Sequence, residues 1–575
     1  MRQPSPADLA LHRYVNGRII ALRVNRYSWW THWRELADYF LPRRYKWLIT
    51  PNMMARGGPV NQHILTSAGC IYSRNLASGL ISGKSSPTAP WFRLKIGRID
   101  STQTSPVSLW LAECERLMYL VFSESNFYNS IATFYYDLVI FGTASILIYE
   151  DFKSVINCVN PCLGEYYVDI DGKYRPVVFY REFTMTVDAL VREFGRDNVS
   201  DSILQLYDDN GGANRTRELI VAHAIEPNDD GNAAKFGFNK KFKFRECYWE
   251  WGGSTSPQGG AQSPLGFLRK RGYYESPAIT GRWDIVSNDP YGRSPGMDGL
   301  PNQKELMLKR RRQQQAIDKM VNPPLVADIQ LKNQPANLTP GGVTYVAGFQ
   351  AAGKPGFASV YETKFPVAEI TADITEVKAE LSQIFFNDIL RVASQYETRS
   401  NVTAVEWDLR KSESLVMLGP VLERIDNEVL KPVIERVFAI ANRAGILPPP
   451  PQEFAGQPVT ITFVSMLTQA QQAAAAQGIE RLLGLAGNII GIDPSAADNV
   501  DFDYALEKYS SLLNNDPKII RATDQLEKIR ADRAKQQAQA QQAEIAQKLS
   551  QGAKNLSGAD LGDGQNALQA MMGQR

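Results

Sequence analysis

The chain has 575 residues, of which 44% are apolar and 22% charged, values that are ordinary for a globular protein and exclude a fully disordered or collagen-like chain. This length predicts several packed modules rather than one compact core. The 63 basic and 61 acidic side chains nearly cancel, which argues against a protein that wraps DNA tightly. Any DNA contact should therefore be local, loose or non-specific.

The cysteines and the apolar segments indicate in which compartment the protein is made. The five cysteines have irregular spacing, which is typical of reduced thiols rather than a disulfide framework. Cys158 and Cys162 lie close together, but no histidine is near them in the sequence, so we expect no metal site and no cofactor. There is no N-terminal signal region, and the longest uncharged apolar stretch, 138–149, is too short to span a bilayer and predicts a pair of buried strands. We expect a protein made in the cytoplasm, without membrane insertion.

The N-terminal half predicts two helices followed by a β module. Apolar residues at three- and four-residue steps predict a helix over residues 7–39, and a second helix is expected over 61–81. From 142 to about 284, segments rich in β-formers predict an antiparallel module with one or two inserted helices. The predicted strands are 145–149, 166–170, 177–180, 219–222 and 242–249, with a hairpin turn at Asp171–Gly172.

Two long helices of opposite charge follow. Residues 297–320 carry six basic and three acidic side chains, a net charge of +3, whereas residues 367–400 carry three basic and six acidic ones, a net charge of −3. The intervening segment, 321–366, holds six prolines and five glycines, so extended strands and turns are expected there. The pattern predicts an antiparallel, electrostatically matched helix pair over 297–320 and 367–395. Further helices are expected over 405–444 and in the C-terminal third, where the Gln/Ala-rich tail from about 535 should be stable only in an assembly or partly disordered.

Two basic motifs have competing interpretations. Residues 78–85 (SGLISGKS) resemble a phosphate-binding loop, but Ser78 stands where the first glycine is required and Ser86–Pro87 follows where a helix should begin. Nucleotide binding is therefore not expected. The run from Lys309 to Arg312 could contact nucleic acid, but consecutive helical residues point in different directions, and a solvated or inter-subunit face is favoured. Neither a nucleophile elbow nor a histidine in a catalytic context is present, and nothing predicts an enzyme.

Five groups of short blocks resemble the head-to-tail connector (portal) family of short-tailed bacteriophages, over residues 20–540. They are 33–44 (WRELADYFLPRR); 76–80 (LASGL), 86–87 (SP) and 90–92 (PWF); 274–277 (YESP), 282–283 (RW) and 291–296 (YGRSPG); 423–425 (ERI), 430–432 (LKP), 435–438 (ERVF) and 445–448 (GILP); and 492–494 (IDP), 499–501 (NVD) and 529–533 (IRADR). Residues 401–406 (NVTAVE) depart from the family's more usual Met-Thr-Ala-Thr-Glu run.

The resemblance implies a mixed α+β, multi-module fold with an α/β wing, a two-helix stem, a β-containing clip, a tunnel loop and a helical crown. The implied boundaries are wing 1–296, stem helix 297–320, clip 321–366, second stem helix 367–395, tunnel loop 396–404, connecting helices 405–452 and crown 453–575. The family implies a dodecameric ring at one capsid vertex, through which double-stranded DNA is packaged and ejected. Implied partners are the major capsid protein, the large terminase subunit and then a tail adaptor, with internal core or scaffolding proteins as further candidates.

Residues that could line the channel follow from the same resemblance. Arg399 and Asn401 fall in the implied tunnel loop with Arg391 just before it, and Lys309 and Arg312 form the basic face of the first stem helix. For Arg391, an inter-helix ion pair is an equal alternative. Contacts to phosphates should be weak, because tight binding would stall DNA movement.

Two other classes of protein compete with this interpretation. A tail adaptor or internal core protein is the alternative structural hypothesis, but adaptors usually lack a Pro/Gly-rich excursion between two long helices. A packaging motor would need an intact phosphate loop, which is absent from the sequence.

Overall fold

A computed structural model describes residues 5–42, 44, 64–96, 106–209, 211–229, 233–251, 266–321, 325–327, 357–359, 366–387, 418–451, 459–463, 466–490, 499–512 and 523–557. The chain forms two compact units. The first comprises Met1–Trp91, Leu117–Leu447 and Phe463–Leu467, and the second comprises Phe92–Arg116, Pro448–Thr462 and Thr468–Arg575. Helices and antiparallel strands both contribute, so the predicted mixed α+β class is confirmed.

The elements are named here in chain order. The helices are α1 (Pro6–Phe40), α2 (Ala68–Lys84), α3 (Pro106–Glu124), α4 (Phe127–Phe141), α5 (Val187–Phe194), α6 (Asp201–Asp208), α7 (Pro295–Val321), α8 (Val367–Ile384), α9 (Lys431–Arg443), α10 (Met466–Ile490), α11 (Phe502–Leu512) and α12 (Thr523–Ser557). The strands are β1 (Phe92–Ile96), β2 (Thr143–Asp151), β3 (Val155–Val159), β4 (Tyr166–Ile170), β5 (Pro176–Thr186), β6 (Glu218–Pro227), β7 (Phe244–Glu250), β8 (Arg269–Tyr273), β9 (Ala278–Arg282), β10 (Leu325–Ala327), β11 (Phe357–Ser359) and β12 (Val459–Phe463).

Helix α1 confirms the predicted N-terminal helix. It begins with a capping box in which Ser5 and Asp8 exchange hydrogen bonds, so exposed backbone groups at its start are satisfied. Its buried stripe, including Leu11, Val15 and Ile19, packs on the five-stranded sheet β4-β5-β6-β7-β8. The indole of Trp249 in β7 donates a 2.8 Å hydrogen bond to Asn16, which ties the sheet to the helix.

The five-stranded sheet is covered on both faces. Ala222 and Trp249 face α1, whereas the adjacent residues Val221 and Tyr248 face the small helices α5 and α6. Because both faces of the sheet are covered, its central strand β6 has a continuous apolar run, 219–222, rather than strict alternation. The predicted strands in this sheet and the hairpin at Asp171 are confirmed.

The prediction of a strand pair over residues 138–149 was wrong. Residues up to Phe141 complete helix α4, and only β2 is a strand, in the sheet β3-β2-β9. The junction is Gly142, whose φ of +75° ends the helix in a left-handed conformation. An added Cβ at Gly142 would lie 2.3 Å from the carbonyl oxygen of Gly292, so this contact also excludes a side chain. A run of apolar residues without clear periodicity could not separate a helix end from a strand.

A helix with a π-helical turn is fixed to the β3-β2-β9 sheet by charged side chains. Residues 418–425 continue into the π turn Asp426–Leu430 and then into α9. Glu428 in the turn accepts hydrogen bonds from Arg282 at the end of β9. Arg436 in α9 donates to the carbonyl oxygens of Ile148 and Glu275, both at 2.9 Å. These hydrogen bonds join the π turn and α9 to strands β2 and β9 and to the segment that precedes β9.

The second unit contains β1, the first part of α3, and the C-terminal elements. Strand β1 pairs with β12. Its Leu94 amide donates a 2.6 Å hydrogen bond to Glu115, and burial raises the pKa of that carboxyl to about 7. Helices α10 to α12 follow, and the described side chains of α12 are almost all exposed, which fits the predicted low-burial tail. Among the described helices, none is long and apolar enough to cross a membrane.

Candidate functional site

The most distinctive local structure is a helix hairpin formed by α7 and α8. The N-terminus of α7 is anchored by Ser294, whose hydroxyl accepts from the Met297 amide at 3.1 Å and donates to the Ile140 carbonyl at 2.6 Å. Gly296 lies against the same turn of α4, because an added Cβ would come within 2.6 Å of the Ile140 carbonyl oxygen. The start of α7 is therefore built directly onto the end of α4.

The two helices run antiparallel and their side chains match in charge, as predicted. Three polar contacts set the register: Asn302 to Glu380 at 2.7 Å, Lys309 to Asp373 at 2.7 Å, and Gln313 to Thr371 at 3.0 Å. The α8 residue numbers fall as the α7 numbers rise, which defines the antiparallel direction. Between these contacts, an apolar seam is buried, comprising Leu306, Ile374, Val377 and Leu381.

Close packing continues to the end of the hairpin at which α7 begins and α8 ends. An added Cβ at Gly299 would lie 3.0 Å from Leu381 and 3.2 Å from Phe385, so a small residue allows α7 and α8 to approach here. Helix α8 ends at Ile384, and Phe386 adopts a φ of +50°. The buried Asn387 then accepts a 2.7 Å hydrogen bond from Asn75 of α2. The prediction extended this helix to 395; positions 388–395 lie outside the described residues.

A strand pair lies between the two helices in the chain. Strand β10 begins four positions after the end of α7, and it pairs antiparallel with β11 in the register Leu325↔Ser359, Val326↔Ala358 and Ala327↔Phe357. Together with Val321 at the end of α7 and Pro366 before α8, these six residues are the described part of the predicted clip, 321–366, and the six are extended as predicted.

The predicted basic face of α7 divides into a paired and an unpaired part. The ammonium group of Lys309 donates to Glu305 and Asp373, both at 2.7 Å, and these hydrogen bonds to carboxylates raise its pKa. Arg311 and Arg312 are exposed, and within the described residues neither has an ion pair. The proposed channel residues Arg391, Arg399 and Asn401 lie outside the described residues, as does the whole tunnel loop 396–404.

The phosphate-loop-like motif has a structural explanation. Its residues continue helix α2 to Lys84, which is buried and pairs with Asp426 at 2.7 Å. Ser85 contacts the hydroxyl of Tyr135 at 3.3 Å. The lysine that would bind phosphate is thus a link between α2 and the π turn, in agreement with the rejection of this motif from its spacing.

Other groups with reactive side chains are also embedded in the fold. Burial raises the pKa values of the Cys158 and Cys162 thiols to about 12, so both are protonated at neutral pH. Across the described positions, no group of three or more His, Cys, Asp or Glu side chains is placed to hold a metal ion.

The sequence reasoning missed the buried ion pairs. Arg282 and Arg436 belong to short family-like blocks, but membership in these blocks indicates neither that they are buried nor that Glu428 is a partner. Arg282 ends a strand of uncharged residues and precedes Trp283, and a charged residue in such a segment is the one local signal of a buried pair.

The described residues thus form an antiparallel helix hairpin with a strand pair between its helices in the chain. Residues 13–520 match the family model for the bacteriophage head to tail connecting protein, and the chain belongs to that family. It is 37% identical over 547 residues to the "Probable portal protein" of Bordetella phage BPP-1, covering 95% of both chains. It is 34% identical over 549 residues to the "Portal protein" of Salmonella phage epsilon15, again covering 95% of both. The family consists of structural connectors of the virion and not of enzymes.

Proposed function

We propose that this chain is the portal subunit of its virion, assembled as a dodecameric ring at one capsid vertex. The observation that carries the proposal is the α7–α8 hairpin with a strand pair between its helices, in a chain that belongs to the connector family over most of its length. The stem corresponds to α7 and α8, the clip to 321–366, the wing to 1–296, and the crown to 453–575. In this assignment, the ring is the passage for DNA during packaging and ejection.

The proposal includes the partners of each module. The clip would bind the large terminase subunit during packaging and a tail adaptor afterwards, and the wing would contact the major capsid protein. Internal core or scaffolding proteins are further candidates. Arg391, Arg399 and Asn401 would lie near the tunnel loop, where weak contacts to phosphates steady the DNA without stopping it.

Electron microscopy of the purified chain tests the proposal most directly. We expect end-on views of closed rings of about a dozen subunits around a central hole. Monomers or open filaments under several salt conditions would contradict it and would favour a tail adaptor or internal core protein.

The Arg399→Glu variant tests the channel role separately. We expect it to form rings as the wild type does but to change DNA retention in assembled particles, because a ring of positive charge would become negative. Particle assembly followed by measurement of packaged DNA gives the readout. Failure of this variant to form rings would assign Arg399 to assembly instead.

A further inference from the structure

The faces of α7 and α8 that point away from each other differ in chemistry. Where the helices meet, α7 uses Gly299, Leu306 and Gln313, so helical periodicity places Leu308 and Arg311 on its opposite side. Leu308 is 47% exposed, and Arg311 and its neighbour Arg312 are exposed as well. The outer face of α7 is therefore basic with one prominent apolar side chain.

The outer face of α8 has complementary features. The seam residues Ile374, Val377 and Leu381 face α7, which places Ala372 and Ala379 on the opposite side, where both are exposed. Glu369 and Glu376 flank these alanines and are exposed. Neither has an ion pair among the described residues. This face is thus acidic, and its small side chains would allow another helix to approach closely.

The two faces lie at the same height along the hairpin. The contacts of Lys309 with Asp373 and of Gln313 with Thr371 place Arg311 and Arg312 level with the turn of α8 just after Glu369. Leu308 lies level with the middle of α8, close in height to Ala372 and Glu376. At a rise of about 1.5 Å per residue, each arginine is within about 10 Å of both glutamates along the axis.

We propose that the basic face of α7 in one copy binds the acidic face of α8 in the next copy. The occupant is a second copy of this chain because one copy carries both complementary faces. A basic face does not bind another basic face, so the interface is heterologous. A repeated heterologous interface closes a ring when the rotation from copy to copy closes, as it does in the proposed portal ring. Cyclic symmetry keeps all copies at one height, which brings Arg311 and Arg312 opposite Glu369 and Glu376, with Leu308 on the alanines. This inference rests on the proposed ring and names the side chains that select its neighbours.

Reciprocal charge reversal in the full-length chain tests the inference. We expect Arg311→Glu/Arg312→Glu and Glu369→Lys/Glu376→Lys each to reduce the fraction of protein in rings about tenfold at low salt, because like charges would face each other. The variant with all four changes should recover rings, since the charges are again opposite. Lys173→Glu/Lys240→Glu makes the same change of charge as Arg311→Glu/Arg312→Glu. These lysines are exposed positions of the wing, so this control should leave the ring fraction unchanged.

Electron microscopy and sedimentation give the ring fraction, and circular dichroism melting checks that each variant is folded. The inference is overturned if the double variants form rings as the wild type does, or if the fourfold variant recovers nothing while melting normally. Rings of Arg311→Glu/Arg312→Glu that form normally but retain less DNA would instead assign this face to the channel.

The wild type supplies a measurement that does not depend on any variant. On dilution, its rings should dissociate at a higher protein concentration in about 1 M salt than in about 0.1 M salt, because salt screens exposed charges. Equal ring stability at both concentrations would count against the inference. Absence of rings under all conditions would instead contradict the proposed portal function itself.

Discussion

Replacement of Arg282 by alanine is expected to lower the free energy of unfolding by about 3–5 kcal/mol, because it leaves a largely buried carboxylate without its cation. The Arg282 side chain is 1% exposed and that of its partner Glu428 is 13% exposed. Its guanidinium donates to Glu428 at 2.6 Å and also to the carbonyl oxygens of Tyr174 and Asp289, at 2.5 and 3.3 Å. One side chain therefore joins the π turn, the β4–β5 hairpin and the segment that leads into α7.

Arg175→Ala is the matched control for this prediction. Arg175 pairs with Asp171 at 2.8 Å in the same hairpin, but its side chain is 64% exposed, so we expect a change of less than about 0.5 kcal/mol. Urea unfolding at one protein concentration measures both variants. Equal effects of the two replacements would contradict the argument that burial makes Arg282 important.

A double variant separates the ion pair from the space it fills. Arg282→Met/Glu428→Leu removes both charges and keeps much of the volume, so it should be more stable than Arg282→Ala alone. If the double variant were the less stable of the two, packing around the guanidinium would matter more than its charge.

The sequence predicted the hairpin well because its signals are local. Two long helices with regular apolar spacing and net charges of +3 and −3 indicate which elements pair, and the contact of Lys309 with Asp373 confirms the match. The register followed only from the structure, since charge signs specify partners but not which turn faces which.

Features that depend on distant residues were not predictable. Gly142 ends α4 against the backbone of Gly292, and Arg282 is 146 positions from Glu428, so no sequence window contains both partners. Similarly, the spacing around Lys84 excluded a phosphate loop, but only the fold identifies Asp426 as its partner. The buried charges of Arg282 and Lys84 depend on tertiary contacts, which override the preference of charged residues for the surface.

Acidification should destabilise the five-stranded sheet through His223, which is fully buried in β6 between β5 and β7. Its Nδ1 accepts from Arg181 at 3.0 Å, and its Nε2 lies 2.9 Å from Glu246, so the neutral ring donates there. Burial, together with the nearby Arg181 charge, lowers the pKa of His223 from 6.5 to about 4. A second proton on the ring would sit on Nδ1 and point at the N–H of Arg181, so the hydrogen bond from Arg181 would be lost.

The direction of the pH effect follows from the difference in protons bound. Between pH 6.5 and about 4, the unfolded chain has a protonated His223 and the folded chain a neutral one, given the lowered pKa. Stability from this residue is therefore complete above pH 6.5 and is lost as the pH falls, by about 3 kcal/mol in total. Glu165 opposes this trend, because burial raises its pKa to about 7, so the folded state takes up its proton first on acidification.

Because the effects of His223 and Glu165 oppose each other, the pH dependence of wild-type stability alone does not test the prediction. The decisive measurement is the difference in free energy of unfolding between each variant and the wild type. His223→Gln can keep both hydrogen bonds, since its amide donates to Glu246 and accepts from Arg181, but it cannot titrate. Its stability relative to wild type should rise by about 3 kcal/mol between pH 7 and pH 4. Glu165→Gln should change in the opposite direction over pH 7 to 4.5. Urea unfolding across this pH range decides the matter, because parallel curves for His223→Gln and wild type would mean that His223 does not stay neutral in the folded protein.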